Sequence, residues 1–168
     1  ADGVYSGYDN LGIGIDKTIT IKSESGPKYC ILDCSGIEGA AFYIESLSNR
    51  NPIIYEGLAF INAAVGIYCG NSNLEIKNCY FKDCSDAGTR VDNSNASIAD
   101  TVYINNARGI NTYRGGNAIS MKNCLFKENN EAIDLECSSV TIDTCKFYSN
   151  NKPLRNYHGE CNNMPSTP

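Results

Sequence analysis

Tyrosine, arginine, asparagine and carboxylate residues recur every 21 to 23 positions between residues 68 and 157 of the chain. They form two parallel series two residues apart: Tyr68, Arg90, Asp92, Asn111, Tyr113, Asp134, Glu136, Arg155 and Tyr157. Aromatic faces beside planar polar groups suit sugar rings, which stack on the aromatic rings and share paired hydrogen bonds with the polar groups. The spacing therefore predicts a carbohydrate-contacting surface. The alternative is a solvated face held by Arg–Asp and Arg–Glu ion pairs.

Asp134 and Glu136 suggest further chemistry, because residues two apart on a strand point the same way, with about 7 Å between their Cα atoms. Carboxylates at such separations serve glycoside hydrolysis, and their oxygens also bind Ca²⁺. No spacing in the chain forces a third ligand or a second acid next to this pair. We therefore predict no catalytic residue and no metal or cofactor, with Ca²⁺ as the one alternative left open.

Cysteine is abundant, with nine residues in the chain. This density suits an oxidising compartment in which disulfides form, and the odd number predicts at least one free or intermolecularly paired thiol. The alternative is that cysteine serves as a small buried residue of the core. The chain has no CxxC pair and only one histidine, His158, so no zinc site is expected. His158 lies near Cys161, but a Cys–His nucleophile also needs a positioned third group. We expect this pair to have no catalytic role.

Asn95, Ala96 and Ser97 form an acceptor sequence for N-glycosylation. We expect Asn95 to lie exposed at a turn. In a eukaryotic secretory pathway it would be available for modification.

A second periodicity identifies the elements that must position these side chains. Aromatic residues recur every 21 to 23 positions: Phe60, Phe81, Tyr103, Phe126 and Phe147. Around each of them apolar and polar residues alternate, which is the period of a β-strand. Three short strands per repeat, with Asn, Ser or Gly turns between repeats, predict an all-β fold, a parallel β-helix or solenoid.

We expect about six to seven coils of 21–23 residues, with three short strands in each coil. The regular coils should cover 53–155 and irregular first coils 1–52, in a single domain over 1–161 with a C-terminal tail at 162–168. Equivalent residues then stack about 4.8 Å apart on successive coils. Two more columns should be stacked, a sulfur column of Cys79, Cys124 and Cys145 and an amide ladder of Asn106, Asn129 and Asn150. We expect Cys124 and Cys145 to be buried on adjacent coils.

The sequence resembles the right-handed parallel β-helix repeats of the pectin-lyase-like superfamily. Segments 2–7, 19–23 and 30–34 are similar to the opening coils of extracellular members. Three FxxN-like pieces resemble polymorphic outer-membrane-protein repeats: Tyr103-Ile-Asn-Asn106, Phe126-Lys-Glu-Asn129 and Phe147-Tyr-Ser-Asn150. The companion GGAI motif is only hinted at by residues 115–119. The resemblance implies right-handed coiling and a secreted or surface setting.

The enzymes of that superfamily carry motifs that this chain lacks. Where the lyases have an RxPxxR-like run, the nearest string is Lys152-Pro-Leu-Arg155, without the first arginine and the spacing. The polygalacturonase NTD, DD and GHG blocks are also missing, since Tyr157-His158-Gly159 is not a GHG. The resemblance therefore favours a non-catalytic protein.

We predict a structural or adhesive module of a secreted or cell-surface protein that contacts glycans or neighbouring subunits. Further coils or other chains should meet its open ends. The net charge of −5 argues against a nucleic-acid partner, and no apolar run is long enough to span a membrane. A carbohydrate-active enzyme, a polysaccharide lyase or glycoside hydrolase, is the alternative. An ice-binding face is set aside because the corresponding outward residues are charged and irregular.

Overall fold

The computed structural model describes residues 2–36, 38–45, 51–113 and 117–157. Their strands form three parallel sheets. Sheet 1 contains β1 (Gly3–Ser6), β4 (Cys30–Asp33), β7 (Ala59–Ile61), β10 (Tyr80–Lys82), β13 (Val102–Ile104), β16 (Leu125–Lys127) and β19 (Lys146–Tyr148). Sheet 2 contains β2 (Ile13–Ile15), β5 (Ala40–Glu45), β8 (Val65–Gly70), β11 (Ala87–Asp92), β14 (Arg108–Tyr113), β17 (Glu131–Glu136) and β20 (Arg155–Tyr157). Sheet 3 contains β3 (Thr20–Lys22), β6 (Ile53–Glu56), β9 (Asn73–Lys77), β12 (Asn95–Ala99), β15 (Ala118–Lys122) and β18 (Ser139–Asp143).

The strand order confirms the parallel β-helix with three strands per coil. Every third strand along the chain joins the same sheet, so each coil lies directly on the one before it. Five regular turns run from Ile53 to Tyr157. A longer turn formed by β3, β4 and β5 and a partial turn formed by β1 and β2 precede them. The predicted count of six to seven coils is reached only when these irregular turns are included.

The core is built around a continuous aromatic stack. Successive ring centroids of Phe60, Phe81, Tyr103, Phe126 and Phe147 lie 4.9–5.0 Å apart with interplanar angles of 2–6°. The first four side chains are fully buried, whereas Phe147 is only partly buried. The repeat found in the sequence therefore marks the stacked column of the core.

A column of glycines lies against this stack and was not recognised in the sequence. Gly66, Gly88 and Gly109 occupy the same place in successive strands of sheet 2. A Cβ atom at Gly88 would lie 2.8 Å from the Tyr103 ring and 2.9 Å from the carbonyl oxygen of Gly109. The absent side chains therefore let the backbone approach the rings of the next coil.

Single residues in the left-handed region turn the corners between sheets. Twelve described non-glycine residues have φ between 47° and 59°: Asn62, Asn71, Asn78, Asp83, Asn93, Asp100, Asn105, Asn123, Glu128, Cys137, Thr144 and Ser149. Most are Asn or Asp, the side chains that tolerate this region best. Exposed corner side chains also bond between coils, as in the 2.6 Å hydrogen bond from Asn123 Nδ2 to Asp100 Oδ1.

The predicted amide ladder is present inside one corner. Asn106 Nδ2 donates to Asn129 Oδ1 at 2.9 Å, and Asn129 Nδ2 donates to Asn150 Oδ1 at 2.9 Å. The same amide groups also bond main-chain groups, for example Asn129 Nδ2 to the carbonyl oxygen of Tyr103 at 3.0 Å. The ladder therefore satisfies backbone groups that the turn would otherwise leave unpaired in the core.

The sulfur column has a similar role at another corner. The main-chain N–H of Cys124 donates to Cys145 Sγ at 3.4 Å, as that of Cys79 donates to Thr101 Oγ1 at 3.3 Å. Cys79 and Cys124 are buried free thiols, and burial raises the pKa of each to about 12. The expectation that Cys145 is also buried was wrong, because it belongs to the last described coil and is only partly covered. His158, Cys161 and the tail at 162–168 lie outside the described residues.

Candidate functional site

The outer face of sheet 2 carries the residues singled out in the sequence. Backbone pairing places Tyr68 beside Arg90, Arg90 beside Asn111, Asn111 beside Asp134 and Asp134 beside Arg155. In the second column, Asp92 pairs with Gly70 on one side and Tyr113 on the other, and Glu136 pairs with Tyr157. The register is the one that the spacing predicts. We call the nine predicted residues the sheet 2 strip: Tyr68, Arg90, Asp92, Asn111, Tyr113, Asp134, Glu136, Arg155 and Tyr157.

Tyr43 extends the strip toward the N-terminus. It pairs with Tyr68 across β5 and β8, and the two rings lie 6.0 Å apart between centroids. The Tyr43 hydroxyl accepts a hydrogen bond of 2.8 Å from the Ala40 main chain, which fixes the ring. The longer loops of the first coil break the regular spacing, so the sequence pattern does not align Tyr43 with the strip.

Arg90 lies between two tyrosine rings. Its guanidinium carbon is 5.9 Å from the Tyr68 centroid and 5.4 Å from the Tyr113 centroid, both within cation–π distance. Asp92 holds the same guanidinium through a 3.4 Å contact between Nη2 and Oδ2. Burial, and then the Asp92 charge, raises the pKa of Tyr68. We call Tyr43, Tyr68, Arg90 and Tyr113 the Tyr–Arg stack.

The middle of the strip is less exposed than a solvated face. Asp92 is 6% exposed and Asn111 is 8% exposed. Tyr113 and Tyr157 remain 43% and 55% exposed. The strip therefore presents aromatic rings to solvent above polar groups that are already held in place.

Ion pairs join the last coils of sheet 2, and their central residue, Glu131, was missed in the sequence. Glu131 Oε1 lies 2.7 Å from Lys152 Nζ and 3.5 Å from Arg155 Nη1. Arg108 contacts Asp86 at 2.5 Å on one side and Asp134 at 3.6 Å on the other. We call this group the ion-pair cluster: Asp86, Arg108, Glu131, Asp134, Lys152 and Arg155. The sequence does contain a signal for this cluster, because Arg108, Glu131 and Lys152 follow one another at intervals of 21 to 23 residues.

Two carboxyl groups of the cluster differ in their pKa shifts. Burial works to raise the pKa of Glu131, but the hydrogen bond and charge of Lys152, together with the charge of Arg155 and the hydrogen bond with Asp134, lower it. The pKa of Asp134 is raised by burial and then by the negative charge of Glu131, against the opposing effect of Arg155 and Arg108. Glu131 is therefore the carboxylate that the cluster holds ionised, and Asp134 gains a proton more readily.

The family model of the right handed beta helix region matches residues 18–166 of the 168-residue chain. The chain belongs to this right-handed β-helix family. No curated protein and no solved structure matches it. The match confirms the right-handed parallel β-helix predicted from the repeat motifs.

In this right-handed β-helix, the carboxyl groups whose pKa values shift in opposite directions are those of Glu131 and Asp134. Asp134 lies within reach of Arg108 and Arg155, and accepts a 3.4 Å hydrogen bond from Asn111. At Glu136, the main-chain N–H donates a hydrogen bond of 2.9 Å to Thr112 Oγ1. Asp134 also interacts with Glu131, three residues earlier in the chain.

No group of three or more His, Cys, Asp or Glu side chains in the described ranges is arranged to hold a metal ion. The same residues include no helix long and apolar enough to cross a membrane. The expectations about cofactors, Ca²⁺ and partners stay predictions.

The other two faces of the β-helix have different chemistry. On sheet 1 the outward column is apolar over six consecutive coils, with only Ala59 of its members buried: Val4, Ile31, Ala59, Tyr80, Val102 and Leu125. Sheet 3 presents the small hydroxyl side chains of Ser97, Ser120 and Thr141 in one column. Asn95 is exposed as predicted, but it is the first residue of β12 rather than a turn residue, and its Oδ1 accepts a hydrogen bond from the Ala118 main chain.

Proposed function

We propose that this protein is a non-catalytic β-helix module that contacts glycans through the outer face of sheet 2. The observation that carries the proposal is the Tyr–Arg stack, in which the tyrosine rings of three coils lie on one side of the sheet and Arg90, on the coil between Tyr68 and Tyr113, is fixed between those two rings. Tyrosine faces provide apolar stacking for sugar rings, and the neighbouring Asn111 and Asp92 provide hydrogen-bonding groups.

The spacing of the stack suits an extended chain of sugars. Tyr68 and Tyr113 are two coils apart, which is about 10 Å at the usual separation of strands. A glycan running along the helix axis could place successive rings beside successive tyrosines. Because the ring positions are set by parallel strands, little ordering of the protein is needed on binding.

We further propose a secreted or cell-surface location, with an adhesive role. Nine cysteines in 168 residues and the exposed Asn95 acceptor support this setting, and the disulfides expected there remain part of the proposal. The seven free thiols among the described residues also fit a second explanation, that cysteine serves as a small core residue. Strand edges at both ends of the described coils offer contacts to further coils or other chains.

A binding titration with matched variants tests the glycan proposal. We expect Tyr113→Ala and Arg90→Ala each to weaken binding of a neutral oligosaccharide about 5- to 10-fold, through loss of stacking and cation–π contacts. Tyr148→Ala is the matched control, since Tyr148 is a 53% exposed tyrosine on sheet 1. Equal effects of all three substitutions, or no binding by the unmodified protein, would refute the proposal.

A carbohydrate-active enzyme is the second candidate, and the opposite pKa shifts of Glu131 and Asp134 favour it, since an acid and a base need such a difference. The test is depolymerisation of neutral and acidic polysaccharides, followed by the appearance of reducing ends. The enzyme would be supported by turnover that Asp134→Asn abolishes. We expect no turnover, because the Glu131 carboxylate is already ion-paired with Lys152 and Arg155 and is therefore not free to act as a base.

A further inference from the structure

The outer face of sheet 2 carries more carboxylates than cations. Six acidic residues lie on its strands and flanking columns: Glu45, Asp86, Asp92, Glu131, Asp134 and Glu136. Four basic residues lie among them: Arg90, Arg108, Lys152 and Arg155. The surface that the Tyr–Arg stack belongs to is therefore negative as a whole, as is the chain.

Each of these four cations is already held by a carboxylate. Arg90 contacts Asp92 at 3.4 Å and Asp86 at 3.9 Å. The other three pairs are Arg108 with Asp86 at 2.5 Å, Lys152 with Glu131 at 2.7 Å and Arg155 with Glu131 at 3.5 Å. An acidic sugar would have to displace one of these carboxylates before its own carboxylate gained a cation.

Because of this charge arrangement, we infer that the sheet 2 strip selects neutral glycans and rejects polyuronates and other polyanionic glycans. The inference rests on the proposed glycan binding and specifies its ligand class. Like charges brought together across an interface oppose binding strongly, whereas the hydroxyl groups of a neutral sugar can donate to carboxylates that are already paired. The tyrosine rings contribute to stacking with either class of sugar, so the charges decide between the classes.

Asp92 is the residue that sets this selectivity in the Tyr–Arg stack. It is 6% exposed, lies on the same strand as Arg90 and holds that guanidinium between the two tyrosine rings. Replacing its carboxylate by an amide of the same shape removes one negative charge and releases the charge of Arg90 toward solvent. Asp92→Asn should therefore gain affinity for acidic sugars while keeping the rings in place.

The experiment compares the full chain, Asp92→Asn and Asp143→Asn by calorimetric titration with neutral oligosaccharides and with oligogalacturonates of equal length. Asp143→Asn makes the same charge change on sheet 3, where Asp143 pairs with Lys122 at 3.7 Å. We expect the unmodified protein to bind a neutral oligosaccharide at least about tenfold more tightly than the uronate. Asp92→Asn should raise uronate affinity about fivefold, and Asp143→Asn should leave it within about twofold.

Three other outcomes would contradict the selectivity, the glycan binding or the role of charge. Uronate binding by the unmodified protein as tight as neutral binding would overturn the selectivity and leave the proposed glycan binding standing. Binding of neither class would overturn both. If Asp92→Asn lowers the melting temperature, Glu136→Gln on the second column of the strip makes the same charge change, and failure of both variants to gain uronate affinity overturns the charge explanation.

Discussion

At the scale of single residues, the coil depends on positions where a side chain is absent or the backbone is left-handed. Gly88 leaves room for the Tyr103 ring of the next coil, and Thr144 turns a corner with φ of 52°. The first position excludes a Cβ atom by contact. At position 144 a side chain fits, but a β-branched residue such as threonine is strained in the left-handed region.

Gly88→Ala should destabilise the fold by about 1–3 kcal/mol, because the added Cβ atom overpacks the aromatic stack. Gly14→Ala on β2 is the matched control, since a Cβ atom there meets no atom within 4 Å. It should change the free energy of unfolding by no more than about 0.5 kcal/mol. The measurement is urea unfolding of both variants, and equal stability would contradict the role assigned to the glycine column.

Thr144→Asn should stabilise the protein by about 0.5–1 kcal/mol, because asparagine tolerates the left-handed corner better than threonine. The new amide would also lie in the column of Asn123, which already bonds Asp100. Thr141→Asn is the control on a regular strand, where asparagine is a poorer residue than threonine. Thermal melting of the two variants should therefore shift in opposite directions.

At the scale of elements, each sheet gains its strength from columns that cross several coils. The aromatic stack runs through sheet 1, and the ion-pair cluster joins β14, β17 and β20 of sheet 2. A column interior is covered on both sides, whereas its last member is covered on one side only. The same substitution should therefore have different effects along one column.

Phe126→Ala should cost about 3–5 kcal/mol, because Phe126 is fully buried between Tyr103 and Phe147. Phe147→Ala should cost clearly less, since that side chain is partly exposed at the end of the described stack. Chemical denaturation of both variants gives the comparison. An equal cost at the two positions would show that the last coil is as well covered as the one before it.

The pH dependence of the ion-pair cluster has two opposite parts. The pKa of Glu131 is lowered in the fold, so its contribution is present above the ordinary value of 4.5 and is lost as pH falls through the folded value. The pKa of Asp134 is raised, so its ionised form opposes folding at neutral pH, and this opposition disappears as pH falls below the folded value.

Glu131→Gln should therefore destabilise the protein at pH 7, with a deficit that shrinks as the pH falls below about 4.5. Asp134→Asn should be neutral or stabilising at pH 7. Unfolding free energies of both variants from pH 3 to pH 7 check the signs. A deficit of Glu131→Gln that stays constant over this range would contradict the ionic role of Glu131.

At the scale of the whole molecule, stability is the sum of contacts between neighbouring coils. Ile142 is 40% exposed in the last described coil, whereas its counterpart Met121 in the preceding coil is 2% exposed. Amide hydrogen exchange should therefore be fastest in β18, β19 and β20 and slowest in β10 to β14. Uniform protection along the axis would mean that this coil is covered as completely as the central ones.

The repeat spacing alone predicts the coil, its three strands and the register of the sheet 2 strip. It could do so because parallel stacking forces equivalent residues of each repeat into one column, so that a spacing of 21 to 23 residues translates directly into neighbours in space. The amide ladder and the aromatic stack follow from the same rule. The irregular loops of the first coil broke that spacing, which is why Tyr43 was not assigned to the strip.

Which of these neighbours interact depends on side-chain directions and burial, which the spacing does not give. Spacing places Arg90 beside Tyr68, but side-chain directions decide that its guanidinium lies between Tyr68 and Tyr113 and is held by Asp92. Spacing likewise suggests Asp134 with Glu136, whereas burial and the reach of Lys152 and Arg155 make Glu131 the centre of the charges. The repeat pattern predicts the column in which a residue lies. The burial of that residue and the charges around it depend on side chains of adjacent coils, which the repeat does not specify.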